Sequence, residues 1–489
     1  MTTLEDYIAH HAACQPDKVA IVCGTERCTY AELQTRIEVC SGPNGPIGSI
    51  VPLRAAPTID FLVTYFSLHR QGLVAAPLER DLPEEAYRRI SAGLTAHRCP
   101  EGTADVLYTT GTTGRSKGVM VSHKAILADA ENLIAGQGFT SDTLFVVNGP
   151  LNHIGSLSKV YPVMLLGATL IIVDGLKDLN TFFDAFEDEG LRFGAGGLRT
   201  FATFLVPASI RILVQLAPDR LAALADRLDF IETGAAAMTQ TDMEALCRLL
   251  PSTRLYNTYA STETGIICTH NFNYSIKTHQ THSRSLPLGR GVYTSEGRTE
   301  AGSNDSPLYR EGPGVGLVGL PGVGILGRPM PHSGVHITDA GLIVCTGDTL
   351  MTGYVGEPER TAQVMRDGVL YTSDVGTIDA EGRLHLQGRE DDVINVGGYK
   401  VAPTEVEDAA MSHPSVADCL CTSVDHKITG KALKLIVVVS EGHTFDKRAL
   451  ARFLSTRLEP FKVPMLYEQA GSIRRTFNGK PDRKSYLPT

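Results

Sequence analysis

The densest run of chemistry-capable residues is Tyr108-Thr-Thr-Gly-Thr-Thr-Gly-Arg-Ser-Lys-Gly118. Thr109, Thr110, Thr112 and Thr113 offer hydroxyls around Gly111 and Gly114, and Lys117 adds a cation. Glycines let the backbone curl so that successive N–H groups face one concavity. Such a composition suits phosphate oxygens. Residues 105–108 and 119–121 read as strands on either side of the loop. A Walker A loop is excluded, because Gly118 rather than Ser or Thr follows Lys117 and a strand rather than a helix comes next. A plain hairpin turn would need neither the threonines nor the lysine.

Further groupings carry complementary chemistry. Tyr256-Asn-Thr-Tyr-Ala-Ser-Thr-Glu-Thr-Gly265 places aromatic rings, hydroxyls and a carboxylate close together. A flat ring suits a purine, a hydroxyl suits a phosphate oxygen, and a carboxylate suits magnesium bridged to phosphates. Tyr371-Thr-Ser-Asp374 and Leu386-Gln-Gly-Arg389-Glu-Asp391-Asp392 supply a carboxylate and a guanidinium. A carboxylate accepting from two vicinal hydroxyls, with Arg donating alongside, is a sound clamp. Arg475-Thr-Phe-Asn-Gly-Lys480 is a cationic segment that alone reads as a solvated face. Phe230-Ile-Glu-Thr-Gly-Ala-Ala-Ala-Met238 reads as a strand entering a small-residue loop, where main chain can approach a flat ligand.

In order and composition these segments resemble the motifs of the acyl-adenylating enzymes. That superfamily contains acyl- and aryl-CoA ligases, peptide-synthetase adenylation domains and luciferases, and the acyl-/aryl-CoA ligase branch is nearest. The resemblance spans nearly the whole chain. It is weakest over 269–321 and over 82–101, where this chain is shorter than the superfamily pattern. It implies a carboxylic acid substrate, ATP, Mg2+, and CoA or the phosphopantetheine of a carrier protein. The loop from Thr109 to Lys117 would hold the leaving pyrophosphate. Gly234, Ala235 and Ala236 would approach the adenine and the acid. Tyr259 would stack on adenine, Ala260 and Ser261 would flank the nucleotide, and Thr262 would bond the α-phosphate. Glu263 would hold magnesium, and Asp374 and Arg389 the ribose. Lys480 would be catalytic, Asp391 the hinge, and Gly397 and Gly398 the lining of the thiol tunnel.

The acid is approached through two departures from the pattern. His153 matches a histidine that lies by the acid pocket in acyl- and aryl-acid members, although backbone at a helix start can equally satisfy it. Amino-acid-activating members carry an Asp here for the substrate ammonium. This chain has none at Asn152, His153 or Ile154, and an unpartnered buried ammonium is costly. Ala260 stands where most acyl members have Gly, which narrows or shortens the pocket. A short-to-medium acyl or an aryl acid is therefore expected. The leading reading is an AMP-forming acid–CoA ligase. A stand-alone enzyme loading a carrier protein shares its first half-reaction. A non-catalytic nucleotide or acyl-adenylate binder is opposed by Glu263, Asp374, Arg389 and Lys480.

The elements that must position these residues follow from periodicity. At 489 residues the chain is too long for one core, and roughly two to four domains are expected. Residues 4–13 have helical spacing and 19–22 read as a strand. Thr29 with Glu32 makes a capping box opening a helix. Strands at 50–53 and 74–77 flank an apolar helix at 59–71. Alternating strands and helices imply parallel sheet covered by helices, an α/β fold with α+β parts. Alternation over 334–338 and 341–345 implies antiparallel strands of a small β-barrel subdomain, about 324–388. The expected division is an adenylating region over 1–388, a hinge at 389–391 and a mobile α+β domain over 392–489.

Composition narrows the class. Hydrophobic residues are 43% and charged residues 20%, ordinary for a globular protein. A net charge of -9 argues against a nucleic-acid partner or a membrane surface held by charge. Ten cysteines without a CxxC pair imply packed thiols in a reduced, cytoplasmic setting. No apolar run approaches a membrane span, and no basic-then-apolar leader opens the chain.

Overall fold

The computed structural model describes residues 1–489 except 44, 110–116, 188–192, 195–196, 199, 237, 274–323, 398, 428, 476–480 and 487–489. Ile50–Arg54, Val74–Leu78 and Thr103–Thr109 run parallel, and Thr103–Thr109 then pairs antiparallel with Lys117–Ser122. The helix Ile59–Arg70 crosses between the first two strands and buries Leu62, Tyr65, Phe66 and Leu68. A two-residue strand, Gly353–Tyr354, arrives from far along the chain and sets Tyr354 opposite Val119.

The larger sheet has a parallel part in the order Val19–Cys23, Thr169–Ile172, Thr143–Val147, Thr200–Phe204, Leu228–Thr233, Arg254–Ser261. Strands covered on both faces need continuous burial, and Thr143–Val147 and Thr169–Ile172 show it. From Arg254–Ser261 the pairing turns antiparallel, through Gly265–Asn271, Ile325–Pro329, Leu384–Arg389, Val369–Ile378, Leu342–Gly347 and Ser333–Ile337. The antiparallel strands expected over 324–388 are present and continue the main sheet. The last of them curls back, with Ser333 Oγ donating to Ile266 O at 3.3 Å.

Successive side chains of a strand face opposite sides. Phe230 accordingly joins a core with Tyr65, Ile126, Leu133, Tyr161 and Phe204. Ile231 joins a second core with Phe182, Phe186, Phe201 and Leu255. Thr29 and Glu32 form the expected capping box. The shortened stretch near 82–101 carries a helix, Glu84–Thr95.

Past residue 392 a separate core gathers Val406, Leu433, Leu435, Leu450 and Leu454. It lies among the helices Pro403–Met411 and Lys447–Ser455 and the antiparallel pair Val416–His426 and Gly430–Val439. Arg483 returns to this unit, its Nη2 donating to Glu407 Oε2 at 2.8 Å. Thr404 Oγ1 donates to Gln387 O at 3.3 Å, back to the strand Leu384–Arg389. All ten cysteines are free thiols, and six of them are buried, Cys419 and Cys421 included. No described helix is long and apolar enough to cross a membrane.

Candidate functional site

The hairpin of Thr103–Thr109 and Lys117–Ser122 closes on the pair Thr109 and Lys117, so residues 110–116 join its two arms. Thr110, Gly111, Thr112, Thr113, Gly114, Gly398 and Lys480 lie outside the described residues, as do the side chains of Thr109 and Asp391. Lys117 leads straight to the second motif. Its Nζ is 2.8 Å from Glu263 Oε1 and donates to the Tyr354 hydroxyl at 2.6 Å. Tyr354 Oη in turn donates to Glu263 Oε1 at 3.1 Å. Lys117 also sits over the Tyr354 ring, 4.2 Å from its centroid. Burial and then the Glu263 carboxylate raise the Tyr354 pKa, so the phenol keeps its proton and donates. Both contacts fall on Oε1, so among the described residues Oε2 of this partly exposed carboxylate is left for a hard cation.

A closed turn presents Glu263. Ser261 N donates to Thr264 Oγ1 at 2.9 Å, and Thr264 N donates to Ser261 Oγ at 3.1 Å. Met351 N donates to Glu263 O at 2.9 Å, and Thr349 Oγ1 to Thr264 O at 2.8 Å. Gly265 follows with φ +67°, where a Cβ would lie 2.6 Å from Asp129 Oδ1. The Ser261 hydroxyl is thus used within the turn, while Thr262 and Glu263 stand partly exposed at its apex.

The preceding strand carries the opposite end of the site. Tyr259 Oη donates to Asp374 Oδ2 at 2.6 Å, and Arg389 Nε lies 3.5 Å from Asp374 Oδ1. Asp374 and Arg389 are register partners on adjacent strands, which is why they meet. Arg389 Nε is buried and makes no hydrogen bond to a described residue, the kind of donor a ribose oxygen would satisfy. Burial and then Asp374 raise the Tyr259 pKa, so this phenol also stays a donor. The pairing register shifts between Tyr259 and Ala260, an irregularity that re-aims a strand beside a site.

Gly234 packs on the same strand, where a Cβ would come within 3.0 Å of Thr258 O. Ala235 next to it has φ +65°, a left-handed conformation that is strained for a non-glycine residue, and Ala236 continues the loop. His153 stands half-buried at the start of Ile154–Leu157, its carbonyl accepting from Leu157 N at 2.9 Å. Gly397, at φ +60°, begins the turn between Ile394–Val396 and Tyr399–Val401. Asp391 lies in the short 3-10 turn Glu390–Asp392, directly after Arg389. Sequence gives no pointer to Tyr354, because a two-residue strand has no periodicity to read. Lys159 and Glu232 do leave a signal in the sequence, since each is a charge inside an apolar run.

The fold is that of the acyl-adenylating enzymes. The solved structure of ATP-bound MatB from Rhodopseudomonas palustris superposes with a TM-score of 0.77 over 99% of each chain, at 21% identity. Residues 91–296 match the AMP-binding enzyme family and residues 405–480 the AMP-binding enzyme C-terminal domain. The chain belongs to this family, in its AMP-forming acid–thiol ligase class. It is 26% identical to a feruloyl-CoA synthase of an Amycolatopsis species, over 98% of this chain and 97% of that protein. It is also 26% identical to an indoleacetate–CoA ligase of Aromatoleum aromaticum, over 98% and 96%.

Proposed function

We propose that this enzyme activates a short-to-medium acyl or an aryl acid as its adenylate and passes the acyl group to the thiol of CoA. The observation that carries the reading is the joining of Lys117, Tyr354 and Glu263 at one end of a strand whose Tyr259 holds Asp374 beside Arg389. One end suits phosphates and the other suits a ribose. A carboxylate oxygen attacks the α-phosphorus, an O–P bond forms, and the bond to pyrophosphate breaks. Both partners are anionic, so the site must neutralise charge where they meet. Lys480 fills that role by its match to the family's terminal lysine. The Thr262 hydroxyl donates to the α-phosphate, and Lys117 with its loop receives the pyrophosphate. Glu263 would hold magnesium, which supplies further charge neutralisation at the phosphates. Asp374 and Arg389 orient the ribose.

In the second half-reaction the thiol attacks the acyl carbon, a C–S bond forms, and AMP leaves. Rotation about Asp391 would bring Gly397 and Gly398 to the thiol's path. The activities of the two relatives, both aryl-acid CoA ligations, support an aryl acid and CoA here. The test is a panel of acids with ATP and magnesium, scored for pyrophosphate with and without CoA. Pyrophosphate with short or aryl acids and a CoA thioester are expected. Thioester only with a carrier protein would replace the acceptor. A preference for amino acids, or for sixteen-carbon acids, would overturn the substrate class.

A further inference from the structure

The strand that leads into Gly234 carries an ion pair sealed from solvent. Lys159 Nζ lies 2.7 Å from Glu232 Oε1, and the two side chains are 0% and 1% exposed. Glu232 lies near the end of the strand Leu228–Thr233, and Gly234 follows that strand directly. Phe204, the register partner of Glu232, is the shared wall. Its ring centroid is 5.3 Å from Lys159 Nζ, and Cβ atoms built on Gly155 and Gly234 would lie 3.2 Å and 3.8 Å from ring atoms. The pair is therefore one ring away from both the His153 turn and the Gly234 loop.

Its hydrogen-bonding capacity is not used up. Glu232 Oε2 is buried without a partner among the described residues, and so is Asn152 Oδ1 beside His153. The ammonium has three donors, and Glu232 Oε1 takes one of them. Apolar residues often serve stability as well as a buried ion pair does, and an unsatisfied buried acceptor is a further cost. Packing alone does not account for this arrangement.

We propose that Lys159 and Glu232 read the end of the acid remote from its carboxylate and select a neutral hydroxyl there. The inference rests on the acid-activating reading above. The pair carries no net charge, so a second carboxylate would face Glu232 and an ammonium would face Lys159. A hydroxyl donates to Glu232 Oε2 and accepts from Lys159 at the same time.

The test uses matched acids with and without a terminal hydroxyl: benzoic and 4-hydroxybenzoic, cinnamic and 4-hydroxycinnamic, hexanoic and 6-hydroxyhexanoic. The readout is kcat/KM for pyrophosphate release. A site built to bond a hydroxyl rejects the analogue lacking it, and a preference of at least about 100-fold is expected in one pair. The double variant Lys159→Met with Glu232→Leu, checked for folding by its thermal transition, should lose that preference. Turnover of these acids by the wild type with ratios near one overturns the inference while leaving acid activation standing. A folded double variant that keeps the preference overturns it equally. Pyrophosphate from none of these acids overturns the short-acyl or aryl substrate reading, and this inference with it.

Discussion

At the scale of single residues, Tyr354 is the part of the site that ties the others together. Its hydroxyl accepts from Lys117 and donates to Glu263, so it fixes the distance between the ammonium and the carboxylate. Tyr354→Phe keeps the ring under Lys117 and removes both bonds. A neutral hydrogen bond contributes about 1 kcal/mol and one to a charged group about 1.5–3 kcal/mol. Adenylation should therefore fall roughly 10-fold or more, with little change in thermal stability. Pyrophosphate kinetics against ATP concentration measure it, and unchanged kcat/KM would remove Tyr354 from the site. The task proposed for Lys480 is different, a cation between two anions that only the first half-reaction needs. Lys480→Ala should lower adenylation by about two to three orders of magnitude, the usual cost of such a contact. A supplied acyl-adenylate should still yield thioester. Near-normal pyrophosphate release by this variant contradicts the assignment.

At the scale of elements, the turn after Arg254–Ser261 shows how backbone places a carboxylate. Ser261 and Thr264 exchange hydrogen bonds, and Gly265 takes the left-handed conformation that reverses the chain. Gly265→Ala adds left-handed strain of roughly 1–2 kcal/mol. Its Cβ would also meet Asp129 Oδ1 at 2.6 Å and Thr349 O at 2.7 Å. A loss of about 2 kcal/mol or more is expected, seen as a lower Tm together with slower adenylation, because Glu263 rides on this turn. Equal Tm values would show that the turn relaxes freely. The composition of Tyr256 to Gly265 makes the chemistry legible from residue type alone. The closing of the turn by its own Ser and Thr is not legible in that way, because a hydroxyl suits a phosphate and a backbone N–H alike.

At the scale of the whole molecule, a buried charge network joins segments distant in sequence. His69 Nδ1 is 3.0 Å from Glu5 Oε1, and Nε2 is 3.1 Å from Asp105 Oδ1. Tyr65 donates to Asp105 Oδ2 at 2.8 Å, and the His123 ring lies 5.1 Å from that of His69. Burial alone would discharge the imidazole, but Glu5 and Asp105 overturn that and push its pKa up to about 10. A free histidine titrates near ~6.5. The folded value is the higher one, so this stabilisation is complete below ~6.5 and is lost as pH rises toward about 10. Burial also pushes Asp129 up to about 8, and that contribution is lost over a lower range in the same direction. Tm should fall between about pH 7 and 9. His69→Gln, which cannot carry the charge, should start lower and fall less steeply. Parallel curves for the two proteins would show that His69 is not charged in the fold.

The sequence alone determined the class of chemistry and the alternation of strands and helices. Phosphate loops, nucleotide-contacting turns and periodic apolar faces are local, so spacing and residue type suffice to reveal them. It also offered a helix start for His153, and that is where His153 stands. Only the tertiary structure decided which polar groups share an atom. Lys117, Glu263 and Tyr354 are brought together because Gly353–Tyr354 pairs with the strand that begins at Lys117. Tyr259 reaches Asp374 through the antiparallel part of the large sheet, and Lys159 meets Glu232 beneath the ring of Phe204. Strand pairing across a hundred residues or more leaves no periodic trace in either partner, and a buried charge declares its need for a counter-charge without naming it.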